Sequence, residues 1–117
     1  MKYVIYSDIQ GNYKALEKFF RVVDRMDTST DTELICLGDI VDKGVSFDDN
    51  LCIEKIKNSG SIAVRGNHED RVLRNHIESS RKINLENLDY IQNLPLEITL
   101  DNSNEKIYLT HAPSKKR

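Results

Sequence analysis

The sequence predicts a single α/β domain over residues 1–117, with a largely parallel first sheet. Three short apolar runs alternate with segments whose apolar residues recur every three or four positions. Such alternation is typical of parallel strands that are connected by helices. Two further strand-like runs near the end of the sequence flank a turn-forming segment and predict a β-hairpin. We therefore expect a parallel βαβαβ unit, then further helices, then a β-hairpin.

The same patterns place each element along the chain. Strands are expected at residues 2–7, 33–37, 61–64, 96–101 and 106–110, and the last two are joined around the turn Asp101-Asn102-Ser103-Asn104. Helices are expected at residues 12–26, 46–58, 68–79 and 84–94. The first helix carries one apolar stripe that should pack against the sheet, formed by Tyr13, Leu16, Phe19, Phe20, Val23 and Met26. Residues 46–49 resemble a capping box, and Pro95 follows the last helix.

The composition is that of an ordinary globular chain, with 38% hydrophobic and 31% charged residues. A net charge of −2 gives no broad basic surface for a nucleic-acid polymer. No apolar stretch approaches the length of a membrane span, and we expect a cytoplasmic protein without membrane contact. Cys36 and Cys52 fit no metal-finger or redox spacing, so we expect buried, reduced thiols.

Polar side chains follow each of the three predicted parallel strands. Ser7-Asp8-Ile9-Gln10 follows the first strand, Gly38-Asp39-Ile40-Val41-Asp42 follows the second, and Asn67-His68 follows the third. Taken alone, each could be a turn with solvated side chains. Because the carboxyl ends of parallel strands meet at one edge of a sheet, Asp8, Asp39, Asn67 and His68 should converge there. Carboxylates, an amide oxygen and imidazole suit divalent metals such as Mn, Fe, Zn or Mg.

These segments resemble the motifs of the calcineurin-like metallophosphoesterases. Gly38 to Gly44 reads GDIVDKG, residues 65–69 read RGNHE, and an Asp-x-Gln-Gly sequence begins at Asp8. The residues of these motifs are similar to those of the branch that contains Ser/Thr protein phosphatases and symmetrical dinucleoside-tetraphosphate hydrolases. Thr110-His111-Ala112-Pro113 resembles the next family motif, so the resemblance spans residues 3–113. It implies the first half of a layered β-sandwich of the metallophosphoesterase type.

The resemblance also implies a role for each site residue. Two divalent metal ions, such as Mn, Fe or Zn, would activate a hydroxide for in-line attack on phosphorus. Asp8 and Gln10 match ligands of the first metal, Asp39 matches the bridging carboxylate, and Asn67 and His111 match ligands of the second metal. His68 matches the general acid, with Asp42 orienting its ring. Lys43 and Arg65 match the cations that bind phosphate.

Two departures from the family pattern affect these expectations. Gln10 stands where most members have histidine, so the first metal should bind more loosely, although glutamine also resembles the dinucleoside-tetraphosphatase branch. Family members also continue well past the motif at His111 and supply further histidine ligands, whereas this sequence has three histidines in all. We therefore expect the N-terminal portion of such a domain. Its half-built sandwich should expose apolar surface, and self-association is expected.

Three functions remain open at this point. The first is a metal-dependent phosphoesterase acting on a phosphoprotein, a dinucleoside polyphosphate or a small phosphoester. The second is a remnant that binds metal or phosphate without turnover, and the third is an interaction module on the same fold. Two residues are assigned no chemistry: Glu69 is expected to serve structure through capping or an ion pair, and His76, which has no motif around it, is expected to lie on a helix surface.

Overall fold

The computed structural model of the chain describes residues 2–26, 31–41, 46–75, 83–102 and 104–112. The strands are β1 (Lys2–Tyr6), β2 (Thr32–Cys36), β3 (Ile62–Ala63), β4 (Glu97–Asn102) and β5 (Glu105–Thr110). The helices are α1 (Tyr13–Asp24), α2 (Ser46–Ser59), α3 (Asn67–Asn75) and α4 (Leu85–Gln92). The order and type of all these elements confirm the sequence-based prediction. The end of the predicted third helix and His76 lie outside the described residues, and so do the side chains of residues 46 and 47 in the predicted capping box.

The first sheet has the strand order β1-β2-β3, and both pairs of strands are parallel. Lys2 pairs with Thr32 and Tyr6 with Cys36, so the carboxyl ends of β1 and β2 are level. Strands β4 and β5 form an antiparallel hairpin with Glu97 opposite Thr110. The hairpin strands are each longer by one residue at the turn than the sequence predicts, reaching Asn102 and Glu105. The α/β fold with a parallel sheet and a final hairpin is therefore confirmed.

The two faces of the first sheet are covered by different layers. Neighbouring residues of a strand point to opposite faces, and Ile35 and Cys36 accordingly belong to two separate apolar clusters. The larger cluster contains Cys36 and residues from all four described helices, among them Phe20, Ile56, Val72 and Ile91. The smaller cluster joins Ile35 and Val64 of the sheet region to Leu109 of the hairpin. Helices therefore pack on one face and the hairpin on the other, as in a layered sandwich.

The two cysteines have the buried positions that the sequence predicts. Cys36 and Cys52 are free and fully buried, and burial raises the pKa of each thiol to about 12. Both thiols are thus packing groups rather than reactive nucleophiles.

Ile5 pairs with Ile35 and lies on the same face of the sheet, yet 54% of Ile5 is exposed, so the hairpin leaves part of β1 uncovered. Self-association through such surface stays a prediction. Within the described residues, every helix is too short or too polar to cross a membrane.

Two glycines allow the loops after β2 and β3 to come into contact. Gly38 has φ = +96°, and a Cβ atom there would lie 2.6 Å from the backbone nitrogen of Gly66. A Cβ atom on Gly66 would in turn collide with the backbone nitrogen and carboxylate of Asp39. Side chains at both positions are therefore excluded by backbone contact, and Gly38 is also required by its left-handed conformation.

We expect Gly38→Ala to destabilise the chain more than Gly60→Ala. Gly60 also has a positive φ, +75°, but no atom lies within 4 Å of a Cβ built there. Gly60→Ala should lower the free energy of unfolding by about 1–2 kcal/mol, which is the cost of the left-handed conformation alone. Gly38→Ala should lose about 1–3 kcal/mol more because the added methyl group collides with Gly66. Urea denaturation followed by circular dichroism measures both values, and equal losses would contradict the close approach.

Candidate metal centre

The loops that follow β1 and β2 remain hydrogen-bonded to each other beyond the ends of the strands. The backbone N–H of Asp8 donates to the carbonyl of Gly38 at 3.0 Å, and that of Gln10 donates to the carbonyl of Asp39 at 2.9 Å. The N–H of Gly11 donates to the carbonyl of Ile40 at 2.9 Å. These bonds hold the two loops side by side at the carboxyl edge of the sheet, where the sequence predicts the site.

Three residues in these loops adopt a left-handed backbone conformation. Asp8 has φ = 57°, Gln10 has φ = 48° and Asp39 has φ = 57°, and they are the only non-glycine residues with positive φ in the described part of the chain. This conformation is uncommon for residues with a side chain and persists only where surrounding contacts enforce it. The strain therefore coincides with the three positions in these loops that the sequence assigns to metal ligands.

Asp8, Asp39 and His111 come together into one cluster. One side-chain ligand atom from each residue lies within 4.8 Å of the corresponding atoms of the other two. Asp39 is buried, with 3% of its surface exposed, whereas Asp8 is exposed and His111 is half-buried. A carboxylate that is buried next to a second carboxylate is costly unless positive charge is present nearby.

Side-chain atoms of His111 and Asn67 lie next to the Asp39 carboxylate. His111 Nδ1 lies 2.7 Å from the carbonyl oxygen of Leu37, and since a carbonyl only accepts, Nδ1 carries the proton. In the neutral ring, Nε2 then offers a lone pair, and it lies 3.1 Å from Asp39 Oδ2. The amide oxygen of Asn67 occupies a position 3.0 Å from His111 Nε2 and 3.2 and 3.3 Å from the two Asp39 oxygens.

In this amide orientation the Asn67 oxygen faces only the Asp39 oxygens and His111 Nε2, which are acceptors as well. Rotation of the Asn67 amide would satisfy these contacts, because its NH₂ group would then donate, and a cation that binds the lone pairs would also satisfy them. Carboxylate and amide oxygens with one imidazole nitrogen form a donor set that suits divalent metals of hard or borderline character. The residues present thus fit a divalent metal ion.

His68 lies at the edge of this cluster, at the start of α3. Its backbone N–H donates to Asp39 Oδ1 at 2.9 Å, so Asp39 satisfies a free N–H group in the first turn of the helix. The ring nitrogen Nε2 of His68 lies 3.8 Å from Asp39 Oδ2, and 18% of the side chain is exposed. The ring is consequently adjacent to the acceptor cluster while remaining partly accessible to solvent.

Glu69 has a larger role than the sequence indicates. Its fully buried carboxylate accepts a hydrogen bond from the N–H of Gly66 at 2.8 Å, which is half of a capping box and matches the expected capping role. It also accepts from Asp39, Ile40 and Val41 in the loop after β2. Burial raises the pKa of Glu69, while the N–H groups of Gly66, Val41 and Asp39 oppose that rise. No local sequence signal identifies the contact with the second loop.

Four other residues are predicted for the site, namely Gln10, Arg65, Asp42 and Lys43. Gln10 shares the loop of Asp8, and its role as a ligand stays a prediction. Arg65 forms an ion pair with Asp70, with Nε 2.8 Å from Oδ1, and its Nη1 donates to the carbonyl of Gln92 at 2.8 Å. Its guanidinium is thus engaged by protein groups, and phosphate binding by Arg65 stays a prediction. Asp42 and Lys43 lie outside the described residues.

Three comparisons with known proteins were informative about the family of the chain. The sequence profile of the calcineurin-like phosphoesterases matches residues 1–116. The uncharacterised protein MJ0912 of Methanocaldococcus jannaschii is 29% identical over 124 aligned positions, which cover 95% of this chain and 49% of that protein. A crystal structure described as a candidate diadenosine tetraphosphatase superposes with a TM-score of 0.67 at 29% identity, covering 82% of this chain and 44% of that one.

The chain thus spans about half the length of these two relatives. The match of the family profile nonetheless extends over nearly every residue, and it includes the four segments that carry Asp8, Asp39, Asn67 and His111. The chain belongs to the calcineurin-like phosphoesterase family.

Proposed function

We propose that the chain is part of a metal-dependent phosphoesterase that hydrolyses phosphate esters with two divalent cations. The observation that supports this proposal best is that the side chains of Asp8, Asp39, Asn67 and His111 converge at one point. In this proposal Asp8 and Gln10 would hold one metal, Asn67 and His111 would hold the other, and Asp39 would contribute to both. Mn, Fe and Zn are the candidate ions, because their preferences match mixed oxygen and imidazole ligands.

The protein residues have distinct tasks in this proposal. Bound metal would supply the positive charge that stabilises the phosphate oxygens while the ester bond breaks. Asp39 uses Oδ1 to hold the His68 N–H, which leaves Oδ2 for the cations. The His68 ring, adjacent to the cluster and partly exposed, would give a proton to the leaving oxygen. Asp42 would orient that ring, and Lys43 and Arg65 would bind the phosphate.

The substrate class is a further part of the proposal. Among the candidates, a dinucleoside polyphosphate has the most support, because a structural relative is described as a candidate diadenosine tetraphosphatase. A phosphoprotein and a small phosphoester are the other candidates. We also propose a cytoplasmic location and association between copies of the chain, the latter because large apolar side chains such as Ile5 and Leu85 are exposed.

We expect Asp39→Asn to abolish or strongly weaken the binding of Mn²⁺. The substitution removes the buried negative charge that both cations share in this proposal, whereas Asp101→Asn changes an exposed residue of the hairpin and should have no effect. Isothermal titration calorimetry at neutral pH should show at least about a tenfold rise in the dissociation constant for Asp39→Asn, since even outer-shell changes have effects of that size.

Two results would contradict this part of the proposal. If the folded wild-type chain takes up no Mn²⁺, Zn²⁺ or Fe²⁺, the cluster of Asp8, Asp39, Asn67 and His111 is not a metal site. If Asp39→Asn binds as tightly as the wild type, the metal lies elsewhere. Uptake of metal without hydrolysis of any phosphate ester would instead favour the non-catalytic alternative, a module that binds metal or phosphate.

We expect His68→Ala to impair hydrolysis of an alkyl phosphate far more than hydrolysis of an activated aryl phosphate. An alkoxide leaving group requires a proton, and loss of a general acid lowers such rates by about 10²–10⁴-fold. A nitrophenolate leaving group is stable without that proton, so the aryl substrate should be affected little. Steady-state kinetics with both substrates, with calorimetry to verify unchanged Mn²⁺ affinity, measure the difference. An equal loss on the two substrates would exclude the general-acid role.

A further inference from the structure

The carboxylate of Glu69 lies completely buried between the two loops that carry Asp39 and Asn67. Glu69 Oε1 accepts from the N–H groups of Gly66 and Asp39, each at 2.8 Å. Glu69 Oε2 accepts from the N–H groups of Ile40 at 2.7 Å and Val41 at 3.2 Å. One side chain therefore binds three consecutive N–H groups of the loop after β2 and one at the start of α3.

These four N–H groups depend on a carboxylate. Successive N–H groups that point into one concavity form an anion-binding site of the backbone, and here a side chain of the same protein fills it. Ile40 and Val41 are fully buried, so water does not readily replace the carboxylate. Without an acceptor at this position, several buried donors would be left unsatisfied, and the loop would adopt another conformation.

The contacts of Glu69 continue directly into the acceptor cluster. Asp39 is held through its N–H by Glu69 and has a left-handed φ of 57°. Its Oδ1 is held by the N–H of His68, one residue before Glu69. Gly66, the other partner of Glu69 Oε1, immediately precedes Asn67. The position of Asp39 relative to Asn67 is consequently fixed from both sides by contacts that involve no metal.

We propose that Glu69 is a positioning residue of the metal centre, which sets the separation of Asp39 and Asn67 before a metal binds. This inference rests on the proposed function in taking Asp39 and Asn67 as ligands. Both carboxylate oxygens of Glu69 accept from backbone N–H groups, so we do not count Glu69 among the proposed ligands. Its contribution to metal affinity is to keep two ligands in place that lie 28 residues apart in the sequence.

Both a full-length side chain and two acceptor oxygens are needed for this role. Glutamine has the length of glutamate, but it provides one acceptor oxygen, and its NH₂ group would face N–H donors. Aspartate keeps the charge but is shorter by one methylene group, so it cannot reach both loops at hydrogen-bond distance. Each substitution should therefore loosen the loops while leaving every proposed metal ligand unchanged.

The test compares the Mn²⁺ affinity of Glu69→Gln with that of a control that is destabilised elsewhere. Ile56→Ala is a suitable control, since Ile56 is fully buried near the end of α2. This helix leads to the start of β3, at the edge of the sheet opposite the site. Calorimetry is carried out at a temperature where all chains remain folded. We expect about a 10–100-fold weaker affinity for Glu69→Gln, as found for outer-shell partners of metal ligands, and wild-type affinity for Ile56→Ala.

A second measurement does not depend on metal binding. Amide hydrogen exchange of the metal-free chains should be faster at Asp39, Ile40, Val41 and Gly66 in Glu69→Gln, with α2 unaffected. Should Glu69→Gln not fold, Glu69→Asp is compared in the same two measurements. Unchanged exchange at these four amides would overturn the inference, as would equal Mn²⁺ affinities or equal losses in Glu69→Gln and Ile56→Ala. A wild-type chain that binds no Mn²⁺ but shows the exchange effect would overturn the proposed function and retain the role of Glu69 in loop position.

Discussion

The hydrogen bonds to the buried carboxylate of Glu69 are the interaction on which the geometry of the site depends. They join the segment from Asp39 to Val41 to the first turn of α3, beyond the point where the paired strands β2 and β3 end. The approach also requires glycine at positions 38 and 66, because a Cβ atom on either would collide with the opposite loop. A charged side chain in the interior is thus stabilised by backbone dipoles, as buried carboxylates require.

The segment from Gly38 to Val41 is the centre around which the other loops assemble. The loop after β1 donates three N–H groups to its carbonyls, and His111 binds the carbonyl of Leu37 just before it. Asp39 in turn accepts from the first turn of α3. Since each neighbouring element is attached to this segment by its own hydrogen bonds, the left-handed conformations of Asp8, Gln10 and Asp39 are maintained by the fold and do not require a ligand.

The sequence was most informative where a local pattern reflects a local cause. Alternation and helical periodicity predicted the order of the elements because burial of one face imposes these periods. Asp8, Asp39 and His111 were predicted to share a site, and they lie together. Asp8 and Asp39 do so because the parallel strands β1 and β2 end at the same edge, whereas His111 follows the hairpin strand β5. The sequence was less informative for Glu69 and Arg65, whose neighbours come from elsewhere. The ion pair of Arg65 with Asp70 and its bond to the Gln92 carbonyl follow from the packing of α3 beside α4.

By itself, the sequence determined the α/β class, the parallel first sheet, the hairpin and the residue types that could bind a metal at the strand ends. The motifs also determined the family, because three of them occur in order along one short chain. Only the tertiary structure decided that Asn67, Asp39 and His111 meet at one point and that Glu69 joins the loops of Asp39 and Asn67. The physical reason is that residue type sets what a group can donate or accept, whereas its partners are set by how distant segments pack.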